Sequence, residues 1–250
     1  MAHTTLIRGA SGSLDRGLNP SADLLASRRL LQSVAANPEF GTVVRLYRPA
    51  PTVAFSGRES TMSAFPEAVG EAMAFGFEPV IRPAGGRMVA LDENWLVLDI
   101  IAPESGRDTA HKDVFLAHGQ KFVELLQRLG VAASLGAVAG EYCPGDFSIN
   151  ARGRVKIVGT AQRVTRGARL FSASIPLHIS PSVAELFVRV NRILGLEWDA
   201  RTLGALDREA PGLSGEALEA ALLNSFAPQV DEEATLADLF DAESKALTLG

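Results

Sequence analysis

The 250-residue sequence predicts an α+β domain, on three observations. Runs of β-branched and aromatic residues follow one another without a helix between them, at 42–56, 88–101 and 147–177. Helical apolar spacing is confined to separate blocks, at 21–36, 111–129 and 181–194. Strands in runs with helices around them indicate a mixed, mostly antiparallel sheet flanked by helices, not alternating βαβ units. With 47% hydrophobic and 21% charged residues the chain can bury a substantial core. No internal repeat and no long Gly/Ser/Pro linker divides it, so one domain over 1–250 is expected, with its core at about 20–195 and a helical C-terminal extension at 196–250.

In chain order, a first helix is expected from Ser21 to Ala36, with Leu24, Leu25, Leu31, Val34 and Ala35 as its apolar stripe, and it ends at Asn37-Pro38. Thr42 to Tyr47 and Thr52 to Ser56 read as strands separated by Arg48-Pro49-Ala50-Pro51, followed by a short helix from Pro66 to Phe75. Pro79 to Arg82 leads into Pro83-Ala84-Gly85-Gly86, and Met88 to Leu91 and Trp95 to Ile101 form a second strand pair around Asp92-Glu93-Asn94. The helix His111 to Leu129 carries Phe115, Phe122, Leu125, Leu126 and Leu129 on one face and stops at Gly130. A meander follows: Phe147 to Ile149, a turn at Asn150 to Gly153, Val155 to Val158, and Leu170 to Leu177. Ser180 caps a helix that starts at Pro181, carries Val183, Leu186, Phe187, Val190 and Leu194, and ends at Gly195. Two tail helices are expected, Gly215 to Phe226 and Asp231 to Leu247.

The longest apolar stretch, Trp95 to Ala102, has Asp99 inside it and is far shorter than the ~20 residues of a membrane span. Met1 to Leu14 lacks the pattern of a signal peptide, so a cytoplasmic protein is expected. A net charge of −5 gives no global attraction to nucleic acid or to an anionic membrane. One cysteine and four scattered histidines supply no metal-ligand spacing.

Three segments can carry chemistry. Cys143 precedes Pro144-Gly145 and Asp146, a turn that places it on a loop, where a thiol becomes a nucleophile if a cation favours its thiolate; in a core it would be only a small hydrophobe. The candidate cation is Lys156: alternation along Val155-Lys156-Ile157 turns it away from the core face, into a cleft or into solvent. A hairpin closed at 150–153 sets Lys156 opposite Phe147, so Cys143 reaches it only if the loop folds back at Pro144-Gly145. The second segment, Arg82-Pro83-Ala84-Gly85-Gly86-Arg87, combines close-approach glycines with flanking arginines, as an anion site or a plain tight turn requires. The third is Gly159-Thr160-Ala161-Gln162-Arg163, whose small residues let a ligand lie against the chain. Between Asn150 and Leu170 stand Arg152, Arg154, Lys156, Arg163, Arg166 and Arg169 with no acid, a local excess suited to an anionic ligand or an acidic partner. No G-x-S-x-G elbow, Rossmann fingerprint or Walker A sequence occurs.

In this order, Arg82-Pro-Ala-Gly-Gly-Arg-Met-Val-Ala-Leu-Asp92, Glu141-Tyr-Cys-Pro-Gly-Asp-Phe-Ser-Ile149 and Lys156-Ile-Val-Gly-Thr-Ala-Gln-Arg163 resemble the lipoate/octanoate transferase and ligase family over roughly residues 20 to 195. The resemblance implies the α+β fold shared with biotin-protein ligases, with the Gly85-Gly86 loop and the Gly159 to Ala161 segment walling an acyl tunnel. Glu-Tyr-Cys-Pro-Gly-Asp is most similar to the branch that moves an octanoyl or lipoyl group between carrier proteins through a cysteine thioester. The resemblance therefore implies Cys143 as nucleophile, Lys156 as its electrostatic partner, and Arg82, Gly85, Gly86, Arg87, Asp146, Gly159, Thr160, Ala161, Gln162 and Arg163 as substrate-binding positions. It implies lipoyl-domain or glycine-cleavage carrier proteins as donor and acceptor, and no nucleotide or metal. The alternatives are an ATP- and Mg-dependent ligase forming an acyl-adenylate, and a non-catalytic acyl-binding relative. Against the ligase pattern stand Arg87 and Leu91 in place of a third glycine and a histidine, and only about 55 residues follow Gly195.

Overall fold

The apolar run at 95–103 becomes a central strand in a computed structural model that describes residues 3–7, 15–16, 20–82, 84–104 and 111–238. The elements before it are β1 (Thr4–Ile7), β2 (Asp15–Arg16), α1 (Pro20–Ala36), β3 (Thr42–Arg48), β4 (Thr52–Phe55), α2 (Phe65–Ala74), β5 (Glu78–Ile81) and β6 (Val89–Leu91). The run itself is β7 (Trp95–Pro103), followed by α3 (His111–Arg128), β8 (Ala133–Leu135), β9 (Ile149–Ala151), β10 (Val155–Thr165) and β11 (Ala168–Pro176). The chain continues through α4 (Pro181–Ile193), α5 (Leu206–Glu209), α6 (Gly215–Phe226) and β12 (Glu232–Ala234).

Among the described residues the main sheet runs β12-β1-β3-β7-β11-β10-β9-β8, with β2 beside β3, and a smaller sheet runs β5-β4-β6. The pairs β3·β7, β7·β11 and β10·β11 are antiparallel, whereas β1 is parallel to both β3 and β12. Both faces of β7 are covered, which is why it reads as a continuous apolar run and not an alternating one. Leu96, Leu98 and Ile100 enter a core that includes Phe122, Leu125 and Leu126 of α3 and Leu218, Leu222 and Phe226 of α6. On the opposite face Trp95 and Val97 join a core with the small sheet, α2 and α4, and Ile101 joins one with α1. The functional site lies on that second face.

The expected stripe of α4 is buried, that of α3 is buried at Phe122, Leu125 and Leu126 and half-buried at Phe115 and Leu129, and the Ser180 hydroxyl caps α4 by accepting from the Val183 N–H at 3.2 Å. Four expectations are corrected. On α1, Leu25 is 53% exposed; Ala26, Leu30, Leu31 and Val34 form the buried stripe, and the side chain of Leu24 lies outside the described residues. The 150–153 turn sits later than expected: Asn150 and Ala151 belong to β9, the left-handed residues are Arg152 and Gly153, and Lys156 pairs with Asn150, not Phe147. Gly159 to Arg163 does not follow the Lys156 strand but continues it, because its backbone is paired with β11 from Gly159↔Ser174 to Thr165↔Ala168. In the tail, 232–234 form no helix; the open edge of β1 takes them as a parallel strand, and the expected helix beyond 238 lies outside the described residues.

Candidate active site

Pairing across the sheet arranges the second face in rows. Tyr47, Val97, Ser174 and Gly159 form one row, and Arg45, Asp99, Ser172 and Ala161 form the next. The small sheet lies over them with Ala54, Val89 and Leu91, and α1 contributes Ser27, so a tunnel is enclosed between the two layers. Cys143 and Lys156 line its mouth. A second, outer cavity meets the first there, and Gly85, Gly86, Cys143, Asp146, Thr160 and Gln162 line it. Cys143 is thus half-buried on a loop where two spaces join, with one side packed against the core under the small sheet.

The Cys143 loop does fold back. Glu141, with a fully buried side chain, accepts from the Gly145 N–H at 2.8 Å and from the Ser148 hydroxyl at 2.7 Å through one carboxylate oxygen. That oxygen lies 3.6 Å from the Lys156 ammonium, whose side chain is 5% exposed. Lys156 Nζ donates to the Cys143 carbonyl at 2.7 Å and stands 5.0 Å from the centre of the Tyr142 ring. The sequence expectation placed this cation at the thiol. The structure gives it the main-chain oxygen of the same residue, so Lys156 fixes the backbone that carries the sulfur and brings one positive charge into a buried site. Burial pushes the Tyr142 hydroxyl up, so it remains a neutral phenol.

The group on the sulfur is the Arg87 N–H, 3.1 Å from Sγ. It is aimed there by a loop held at both ends. Glu59, buried in the turn after β4, accepts from Met88 N at 2.7 Å and from both the N–H and the hydroxyl of Ser56 at 2.7 and 2.9 Å. Arg82 donates to the Arg87 carbonyl at 2.7 Å, and its Nε is buried with no acceptor among the described residues. The Arg87 guanidinium donates to the Tyr142 and Glu197 carbonyls at 3.3 and 3.1 Å, tying this loop to the cysteine loop. Gly86 has φ +101°, and a Cβ there would fall 2.8 Å from Arg82 Nη2 and 3.1 Å from Sγ. Gly86→Ala is therefore expected to push the Arg87 N–H off the sulfur and slow modification of Cys143 by a thiol-reactive probe by at least about tenfold, at a stability cost of roughly 1–2 kcal/mol. A time course of the adduct mass beside a thermal melt checks both.

Of the expected positions, Arg82, Arg87, Gly159, Thr160 and Ala161 line the tunnel, and Gly85, Gly86, Asp146 and Gln162 line the outer cavity. Arg163 is exposed and lines neither, although alternation along β10 puts it on the face of Gly159 and Ala161, in the row of Leu170. The basic excess at 150–170 is also smaller than it reads. Lys156 and Arg169 are buried, Arg169 pairs with Glu104 at 2.6 Å, and Arg152 pairs with Glu209 at 2.8 Å. Sequence reasoning missed Glu59, the bonding of Glu141, and Asp99 with Ser27 and Ser172 on the tunnel wall. The one available signal for Asp99 was an acid inside an apolar run, four strands after a buried Arg45 in a similar run by chain order and directly opposite it in register.

This geometry accords with the comparisons. A model of the lipoyl protein ligase A/B catalytic domain matches residues 19–211. The chain belongs to that family. Among curated relatives, the octanoyl-[GcvH]:protein N-octanoyltransferase of Exiguobacterium sibiricum is 29% identical over 130 residues, 51% of this chain and 46% of the relative. Its counterpart in Geobacillus kaustophilus is 29% identical over 125 residues, 50% of this chain and 44% of the relative. The chain therefore spans about half the length of the curated relatives it matches. A solved lipoate-protein ligase A bound with ATP superposes with TM-score 0.71 at 17% identity, covering 97% of this chain and 94% of that one. A chain from the structure of a bi-partite lipoate protein ligase and its E2 lipoyl domain from Thermoplasma acidophilum gives 0.65 at 16% identity, covering 97% and 91%. These two similarities establish the family's α+β fold, a mixed sheet flanked by helices. Among the described residues no helix is long and apolar enough to cross a membrane, and no His/Cys/Asp/Glu group is arranged to hold a metal ion.

Proposed function

We propose that this chain is a cysteine-dependent acyltransferase that takes an octanoyl or lipoyl group from a carrier protein and delivers it to the lysine of a lipoyl domain. The carrying observation is Cys143 at the junction of two cavities, with the Arg87 N–H on its sulfur and the Lys156 ammonium on its carbonyl. A thiol between two spaces can receive an acyl chain from one side while a carrier approaches from the other. The names of the curated relatives supply the acyl group and the GcvH type of carrier.

In the first step the Cys143 thiolate attacks the acyl carbonyl on the donor, the bond to the donor's amine or thiol breaks, and that group leaves with the proton the cysteine gave up. The Arg87 N–H stabilises negative charge on sulfur before attack, and the Lys156 ammonium lowers the energy of the oxyanion that follows. In the second step the acceptor lysine amine attacks the thioester, an amide forms, and the thiolate regains a proton. The acyl chain lies in the tunnel on Tyr47, Val89, Leu91 and Val97, each buried methylene contributing about 0.8 kcal/mol. The donor's acyl bond supplies the driving energy, so the reaction as proposed uses neither nucleotide nor metal. Acidic carrier surfaces would meet the exposed Arg154, Arg163 and Arg166 of the basic segment.

The test is intact-protein mass spectrometry of the purified chain mixed with octanoylated carrier protein in the absence of ATP. An added octanoyl mass that hydroxylamine removes supports the thioester route. No adduct, together with octanoyl transfer from free octanoate only when Mg²⁺ and ATP are present, overturns it in favour of a ligase.

A further inference from the structure

The tunnel ends on a polar plug. Ser27, Asp99, Leu170 and Ser172 line the tunnel alone, whereas Cys143, Lys156, Thr160 and Ala161 line both the tunnel and the outer cavity. Asp99 is 2% exposed, accepts from the Ser27 hydroxyl at 2.5 Å and is hydrogen-bonded to Ser172. Arg45, fully buried and directly opposite Asp99 in register, adds its charge, and its guanidinium lies 3.8 Å above the Tyr47 ring. Burial pushes the Asp99 carboxyl up against the pull of these partners. Behind the plug the molecule is apolar again, where Ala26 and Leu30 of α1 pack with Ile101 of β7. A polar cluster placed between an apolar tunnel and an apolar core has no packing advantage over aliphatic residues there. It does mark a position beyond which an alkyl chain gains nothing.

Building on the acyl-transfer reading, we propose that Asp99, Ser27 and Ser172 are the specificity-determining stop of the acyl tunnel, setting the longest saturated chain the enzyme accepts near eight carbons. From Ala161, which lines both cavities, two strand spacings along its own row reach Asp99, a span of about 10 Å. An extended eight-carbon acyl chain is roughly 9 Å long from carbonyl to methyl, given C–C bonds near 1.5 Å. Eight carbons end just short of the plug; twelve would have to push a methyl group into it. The plug is satisfied internally by two hydroxyls beside the charge of Arg45, so it calls for no polar group on the end of the substrate and acts as a wall.

Chain-length profiles from six to twelve carbons test this, read both as thioester mass on Cys143 from acylated carriers and as calorimetric affinity for the free acids. Wild type is expected to peak at eight and fall sharply by twelve. Asp99→Ala is expected to raise the twelve-to-eight ratio by roughly tenfold or more, the equivalent of two further buried methylenes. Asp99→Asn, similar in size and polarity, is expected to keep the wild-type profile. Ser172→Val, which replaces a plug hydroxyl with a bulkier apolar branch on a strand that tolerates it, is expected to move the peak toward six carbons, and it decides the matter if Asp99→Ala does not fold. The plug is refuted if folded Asp99→Ala and Ser172→Val both keep the wild-type profile, or if an ω-hydroxylated chain outcompetes octanoate. Absence of adduct at every length, with the profile intact in the free-acid titration, overturns acyl transfer and leaves the plug standing.

Discussion

Cys143→Ala is expected to abolish acyl transfer, by at least about a thousandfold in single-turnover rate, while the protein melts within a few degrees of wild type. The two parts of that expectation rest on different observations. The rate rests on the absence of any substitute nucleophile: no other cysteine exists, and the nearest amine, Lys156, has its ammonium on the Cys143 carbonyl and beside Glu141. The stability rests on what the sulfur contributes to the fold. It accepts one N–H, from Arg87, and it is half-buried, so its loss costs about one weak hydrogen bond and a small apolar contact. Arg87 itself remains anchored by Arg82 and by the Tyr142 and Glu197 carbonyls. Full transfer activity in the alanine protein would remove the cysteine from the mechanism and, with it, the reading of the whole mouth. A loss of both activity and fold would place Cys143 in the core after all.

Large parts of this architecture are legible because they depend on local pattern. The stripe on α3, the Ser180-Pro181 start of α4 and the apolar run of β7 are each set by residues within one or two turns of one another. Short strands are not legible in the same way. Three-residue segments such as Ala133–Leu135 and Glu232–Ala234 become strands because a partner offers an open edge, in the second case β1, more than two hundred residues away. The site divides along the same line. Cys143, Lys156 and Gly86 announce themselves through turn residues and motif order. The carboxylates do not: Glu59 matters because Met88 N, 29 positions further on, points at it, and Asp99 matters because Ser27 approaches from a helix 72 positions before it. Glu141 lies inside a motif visible in the sequence, yet its work is to gather two loop donors and one ammonium, which no spacing rule encodes.

That gathering makes Glu141→Gln the most informative perturbation of the mouth. The substitution keeps the length of the side chain and one acceptor oxygen, so the Gly145 and Ser148 bonds can persist. It removes the negative charge 3.6 Å from the Lys156 ammonium, and it turns a donor toward the Val138 N–H, which now faces the second carboxylate oxygen at 3.4 Å. Leaving one member of a buried ion pair without its partner costs about 3–5 kcal/mol. Melting in denaturant is expected to show a loss of about 3 kcal/mol, with acyl loading reduced by at least tenfold because the Cys143 carbonyl loses a fixed donor. The pair can be separated from the chemistry by its double variant. Lys156→Met alone leaves the buried Glu141 carboxylate uncompensated and is expected to be as destabilising as Glu141→Gln. Combined, the two are expected to recover most of the lost stability and none of the lost rate, since both buried charges are gone together but the cation proposed to stabilise the oxyanion is gone as well. Additive stability losses would mean that Glu141 and Lys156 act on the fold independently, and a double variant with wild-type loading rates would mean that the ammonium serves the loop and not the reaction.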